Sequence, residues 1–149
     1  MATERGFGRT EIIIGVAVLV VVALIAIPLL MSSSTKSRRD EVALYVDAIR
    51  TAEITQMDAF DEYVSAEPAP RAPTAVDANA VPWQPTAGFV KLAWAPVDTD
   101  AVYGSYAVVA TSEGFTVTGV CDIDGDGERA VFEATADHNA RMITADDVY

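Results

Sequence analysis

The feature that most constrains this chain is an apolar run of 20 residues, 12–31, which holds no charged side chain, in a protein of 149 residues. As a helix rising about 1.5 Å per residue, the run would be about 30 Å long, which matches the hydrocarbon core of a bilayer. The sequence therefore predicts a membrane-length helix followed by a soluble part of roughly 110 residues, enough to bury a modest core.

A carboxylate, Glu11, stands at the start of this run, where an ionised group is costly in lipid and indicates a function. It ends the stretch Gly6-Phe7-Gly8-Arg9-Thr10-Glu11. This stretch resembles the prepilin processing motif of type IV pilins and pseudopilins. In that family a leader ends in glycine, phenylalanine follows, and glutamate occupies the fifth mature position ahead of a long apolar run. Pro28 stands where the family commonly has a helix-bending proline.

The resemblance implies a structural subunit and not an enzyme. A prepilin peptidase would remove the leader 1–6 after Gly6, and Phe7 would become the methylated amino terminus. Glu11 would pair with the amine of a neighbouring subunit, and Pro28 would bend the helix during assembly. The implied partners are further copies of this chain and other pilins, and the implied location is the bacterial inner membrane, then a cell-surface filament.

Two features depart from the family pattern, and other interpretations stay open. Arg9 and Thr10 occupy positions that are usually apolar, and the leader carries Glu4. A secretory signal peptide would have a shorter apolar region. A pseudopilin of a type II secretion system would share both the motif and the helix. A membrane-anchored extracytoplasmic calcium-binding module on an uncut span is the third alternative.

The rest of the chain predicts an α+β fold, with the long helix packed on a small antiparallel sheet. Residues 7–31 form the apolar half of the helix, and 32–65 are expected to continue it as an amphipathic half. A proline-rich loop is expected at 66–88, and a β-sheet head at 89–149. Apolar residues recur at helical spacing along the second half: Val42, Val46, Ile49, Met57, Phe60 and Val64.

Short segments rich in β-branched and aromatic residues predict the strands of the head. They are 89–94, 105–111, 114–121, 129–135 and a short one at 140–144. The sequence Ser112-Glu113-Gly114 predicts a hairpin turn between the second and third of them. Trp83 is expected to pack on the head.

An acidic motif lies between two predicted strands. Asp122, Asp124 and Asp126 fall at positions one, three and five of a calcium-loop pattern, the backbone carbonyl of Glu128 at seven and Glu133 at twelve. These residues make calcium a candidate ligand, and no other cofactor is indicated. Because strands flank the motif, it is not an EF-hand, and a metal-free acidic turn is the competing interpretation.

Composition limits the remaining function classes. Residues 40–149 hold 20 acidic and 5 basic side chains, so this part should repel nucleic-acid backbones. No nucleophile–base arrangement or glycine-rich phosphate loop is present in the sequence. The lone Cys121 is expected to be buried, and the lone His138 to be exposed to solvent.

Overall fold

The computed structural model describes residues 9–97 and 99–149, with side chains described from residue 34 onward. The chain forms two compact units, Met1–Ser34 and Thr35–Tyr149. Among the residues whose side chains the structure describes, no helix is both long and apolar enough to cross a membrane. The side chains of the uncharged run 12–31 lie outside the described set.

The long helix α1 spans Arg9–Phe60 and has 52 residues. It ends before the expected limit at Ser65, because the backbone of Asp61 turns into the left-handed region with φ 57°. The Asp61 amide still donates to the Met57 carbonyl at 2.9 Å, which closes the last turn. Aspartate tolerates this conformation better than most residues, so it can terminate a helix.

The fold is α+β. The strands are β1 (Ala66–Ala69), β2 (Val81–Pro82), β3 (Ala101–Val102), β4 (Ser105–Ala110), β5 (Phe115–Cys121), β6 (Ala130–Thr135) and β7 (Arg141–Met142). Five of them form a small antiparallel sheet in the order β1-β4-β5-β6-β7. A separate antiparallel pair joins β2 to β3.

The four strands expected between residues 105 and 144 are confirmed as β4 to β7. The hairpin turn between β4 and β5 is also confirmed, and the Thr111 amide donates to the Gly114 carbonyl at 2.8 Å. In register, Val108 of β4 faces Val117 of β5. The two are almost fully buried, so this cross-strand pair belongs to the core.

The strand expected at 89–94 is wrong, because the structure has a short helix there, α2 (Ala87–Lys91). Phe89 and Leu92 are both buried, and their spacing of three suits one face of a helix. Thr86, in extended conformation, precedes the helix. The imperfect alternation of this segment gave a false strand signal.

The segment 66–88 is also more ordered than the expected loop. It contains β1, a 3-10 turn at Pro73–Ala75 and β2. Proline lacks a donor for the strand ladder and is therefore tolerated mainly in edge strands. Pro68 lies in β1, and β1 is an edge of the five-stranded sheet, so the sequence and the topology agree.

The second half of α1 packs on the sheet through the predicted stripe. Val42, Val46 and Ile49 are fully buried. The approach is close at Gly119 of β5, where an added Cβ would lie 2.4 Å from Val46 Cγ2. Phe60, expected in the stripe, is instead 69% exposed, whereas Val64 reaches the core from the segment after the helix.

An aromatic cluster fills the space between α1, α2 and the sheet. The Trp83 ring lies 5.2 Å from Trp94 and 5.3 Å from Phe89, centroid to centroid, which confirms that Trp83 packs on the head. Tyr45 of α1 and Tyr106 of β4 each contact Trp94 at 6.0 Å. Such pairs stabilise beyond the area that they bury.

Candidate functional site

The acidic motif forms the connection between β5 and β6. Gly125 and Gly127 have positive φ angles of 74° and 90°, which glycine adopts without steric cost. An added Cβ on Gly127 would meet no atom within 4 Å, so its conformation and not a lack of space explains the glycine. The loop is thus a turn set by its two glycines.

Asp122 organises the loop through its carboxylate. Its side chain is buried, with 4% of the residue exposed. Asp122 Oδ1 accepts from the Gly125 amide at 2.8 Å, and Oδ2 accepts from the Gly127 amide at 3.2 Å. Asp126 Oδ1 likewise accepts from the Glu128 amide at 2.8 Å. These are the side-chain-to-backbone bonds that favour aspartate in turns.

Three carboxylates meet in this loop. One oxygen from each of Asp122, Asp124 and Asp126 lies within 4.8 Å of the others, and Asp124 and Asp126 are exposed. A carboxylate oxygen that accepts one hydrogen bond keeps a further lone pair. The three residues therefore fit a hard cation such as calcium, which prefers oxygen ligands, and would supply part of its six to eight positions.

The structure does not bring Glu133 to this group. Glu133 lies in β6, where its Oε1 is 3.3 Å from Arg141 Nη2 and 3.8 Å from His138 Nε2. Glu128 lies exposed at the end of the loop. His138, expected to be exposed, is half-buried beside Glu133.

The processing residues cannot be placed in the same way. Gly6 and Phe7 lie outside the described residues. Glu11 and Pro28 fall within the bounds of α1, and their side chains also lie outside the described set.

Arg39 is a structural residue that the sequence reasoning missed. It is buried, and its Nη1 donates to the carbonyls of Asp146 and Val148 at 2.7 and 2.9 Å. Its guanidinium also lies 4.4 Å from the centroid of the Tyr149 ring. The signal was present, because Arg39 precedes Val42 by three residues and so continues the apolar stripe.

Glu53 was missed for the same reason, since it follows Ile49 by four residues within the stripe. It is fully buried, and its Oε2 accepts from the Val64 amide at 3.0 Å. Its Oε1 has no hydrogen-bond partner among the described residues. Burial raises the pKa of Glu53, and the bond from Val64 lowers it by less.

Cys121 is buried, as expected, and forms no disulfide. Burial is the main cause that raises the pKa of its thiol to about 12. Because the thiolate is the reactive form, a thiol in this state is a poor nucleophile and a poor metal ligand. Cys121 is therefore a core residue of the sheet.

Comparison of the chain with protein-family models, curated proteins and solved structures finds no match.

Proposed function

We propose that this protein is a structural subunit of a type IV pilus or a related filament. The observation that carries the proposal is a spacing in the sequence: Gly6 and Phe7 precede Glu11 by a fixed interval, and the uncharged run 12–31 follows at once. The proposal gives Glu11, which stands at the start of the run, a purpose that a plain membrane anchor does not give it.

The chemistry of processing explains that purpose. Cleavage after Gly6 would free a positively charged amine at Phe7. Inside a filament core, a lone carboxylate or a lone amine would be costly, and a close pair of the two offsets much of that cost. Glu11 of one subunit would thus select the amine of a neighbour. Apolar helices would exchange contact with lipid for contact with one another.

The described head supports the proposal in its architecture. The half of α1 after residue 35 packs on an antiparallel sheet, in the α+β arrangement that the resemblance implies. The chain has a formal net charge of −12, which suits a soluble outer surface.

The first test is the mass of the intact protein and of its amino-terminal peptide after purification from native membranes or sheared filaments. We expect a chain that begins at Phe7, with or without one methyl group. A chain that begins at Met1 or Ala2 would refute the proposal and favour an uncut anchor.

The second test is Glu11→Ala, measured as the yield of sheared filament relative to the yield in membranes. We expect processing to continue and filament yield to fall at least tenfold, because the amine of the neighbouring subunit is then left without its partner. Glu4→Ala is the matched control, because it removes a carboxylate that leaves with the leader. Equal yields for the two variants would contradict the assigned role of Glu11.

The acidic loop supports a second, compatible role in binding calcium, since its three aspartate carboxylates converge within 4.8 Å. The test is thermal unfolding of the protein with calcium, with magnesium and with chelator. Calcium at about 100 times its dissociation constant would stabilise the fold by about 2.7 kcal/mol. We expect Asp124→Asn to lose this gain, and a wild-type protein indifferent to calcium would refute the role.

A further inference from the structure

The end of helix α1 is an acidic surface without its own counter-charge. Asp58 and Asp61 are exposed, and the helix has no basic residue in its last turn. The carboxyl end of a helix already carries partial negative charge and favours a nearby cation. The neighbouring Glu62 forms an ion pair with Lys91, with 2.8 Å between Lys91 Nζ and Glu62 Oε1. Asp58 and Asp61 have no cationic partner among the described residues.

A basic surface lies at the opposite end of the helical segment in the head. Lys36 and Arg38 are exposed, and among the side chains of residues 34–97 and 99–149 no carboxylate oxygen lies within 4.0 Å of their charged groups. The guanidinium of Arg38 lies over the Tyr103 ring at 5.0 Å. At about 1.5 Å per residue, Lys36 and Asp58 are separated by roughly 33 Å along the helix.

An uncharged groove of ≈ 470 Å³ runs along α1 up to the acidic end. None of its lining residues carries a charge, on a chain whose net charge is −12. Two copies can therefore approach here without placing like charges in contact. The lining residues include Ala48, Thr51, Ala52, Thr55, Ala59 and Phe60.

We propose that a second copy of this chain docks at this end of α1, with its Lys36 and Arg38 against Asp58 and Asp61. Each copy uses two different surfaces, so the contact is head to tail, the kind of contact that builds an open filament when the rotation between copies does not close a ring. The inference rests on the proposed filament and names the contact that sets the order of the heads.

The test is charge reversal with rescue. Lys36→Glu or Asp58→Lys alone should raise the concentration needed for filament assembly about three- to tenfold, because like charges then face each other. The double variant should return within about twofold of the wild type. Added salt should weaken the effect of each single change. Arg141→Glu is the control, since it reverses an exposed charge on β7 that pairs within its own chain.

Site-directed cross-linking gives a readout that does not depend on the charge variants folding equally well. In a Cys121→Ser background, copies with Lys36→Cys are mixed with copies with Asp58→Cys and oxidised mildly. We expect a disulfide dimer from the mixture, and much less from either variant alone.

The outcomes separate the two proposals. A processed wild-type protein that forms no filaments under any condition would refute the filament function itself. Filaments that assemble equally well with Lys36→Glu and give no mixed disulfide would overturn the docking contact and leave the filament function standing.

Discussion

The strand β5 contacts α1, and the acidic loop directly follows this strand. The contact and the loop are nevertheless built in opposite ways. At the contact, Gly119 leaves no space for one further carbon atom beside Val46. In the loop, Gly127 has open space around it, and backbone bonds to aspartate hold the chain. The contact should therefore determine stability, whereas the loop is free to respond to a cation.

The largest expected effect lies at the contact. Ile49→Ala removes a fully buried side chain from the helix–sheet core, and we expect a loss of about 2–4 kcal/mol of unfolding free energy. The control is Leu44→Ala on the outer face of the same helix, where 66% of the residue is exposed and the loss should stay below about 0.5 kcal/mol. Urea unfolding measures both, and equal losses would show that this face of α1 is not the core.

The close approach at Gly119 should produce the next largest effect. We expect Gly119→Ala to cost about 1–3 kcal/mol, because its new methyl group overlaps Val46 Cγ2. Val46→Ala opens space at this position, so the double variant should be less destabilised than the sum of the two single changes. Gly114→Ala is the control, since nothing lies within 4 Å of its added Cβ. Additive losses would contradict the packing described here.

Much of this contact could be predicted from the sequence. The spacing of Val42, Val46 and Ile49 predicted the buried face of the helix, and β-branched residues predicted the strands from β4 to β7. Local patterns failed where tertiary contacts decided the outcome. The helix α2 buries Phe89 against the Trp83 ring, and β1 exists because its backbone pairs with β4. Neither contact is visible in a short window of sequence.

The sequence predicted only part of the acidic site, again because a motif shows local spacing and not tertiary contacts. The spacing of Asp122, Asp124 and Asp126 is local, and the turn brings these three together. Glu133 is separated from them by a strand, and the partners of its carboxylate, Arg141 and His138, come from the following chain. A motif can predict residues that share one turn, but not a ligand whose direction is set by a sheet.

Glu53 should add a pH dependence to the stability of the contact. Burial raises its pKa above 4.5, so the folded state holds this proton more tightly than the unfolded state. The stabilisation from this group is complete below pH 4.5 and is lost as the pH rises through the raised pKa. Wild-type protein should therefore lose stability over this window relative to Glu53→Gln, which has no proton to lose.

Glu53→Ala serves as the companion variant for the pH measurement. It removes the acceptor of the Val64 amide, so it should be less stable than the wild type at every pH while lacking the same slope. Urea unfolding between pH 4 and pH 8 measures both variants. A wild-type slope identical to that of Glu53→Gln would mean that Glu53 does not titrate in this range.

The smallest expected effect lies in the loop. In chelator, Asp124→Asn removes one of three converging negative charges, and we expect a gain of only a few tenths of a kcal/mol, since exposed charges are well screened. Asp137→Asn is the control, because it changes an exposed aspartate outside the loop. Thermal unfolding at low and high salt measures both, and salt should erase the gain from Asp124→Asn. A loss of more than 1 kcal/mol in chelator would instead make Asp124 a structural residue, and the loop would resemble the contact in being intolerant of change.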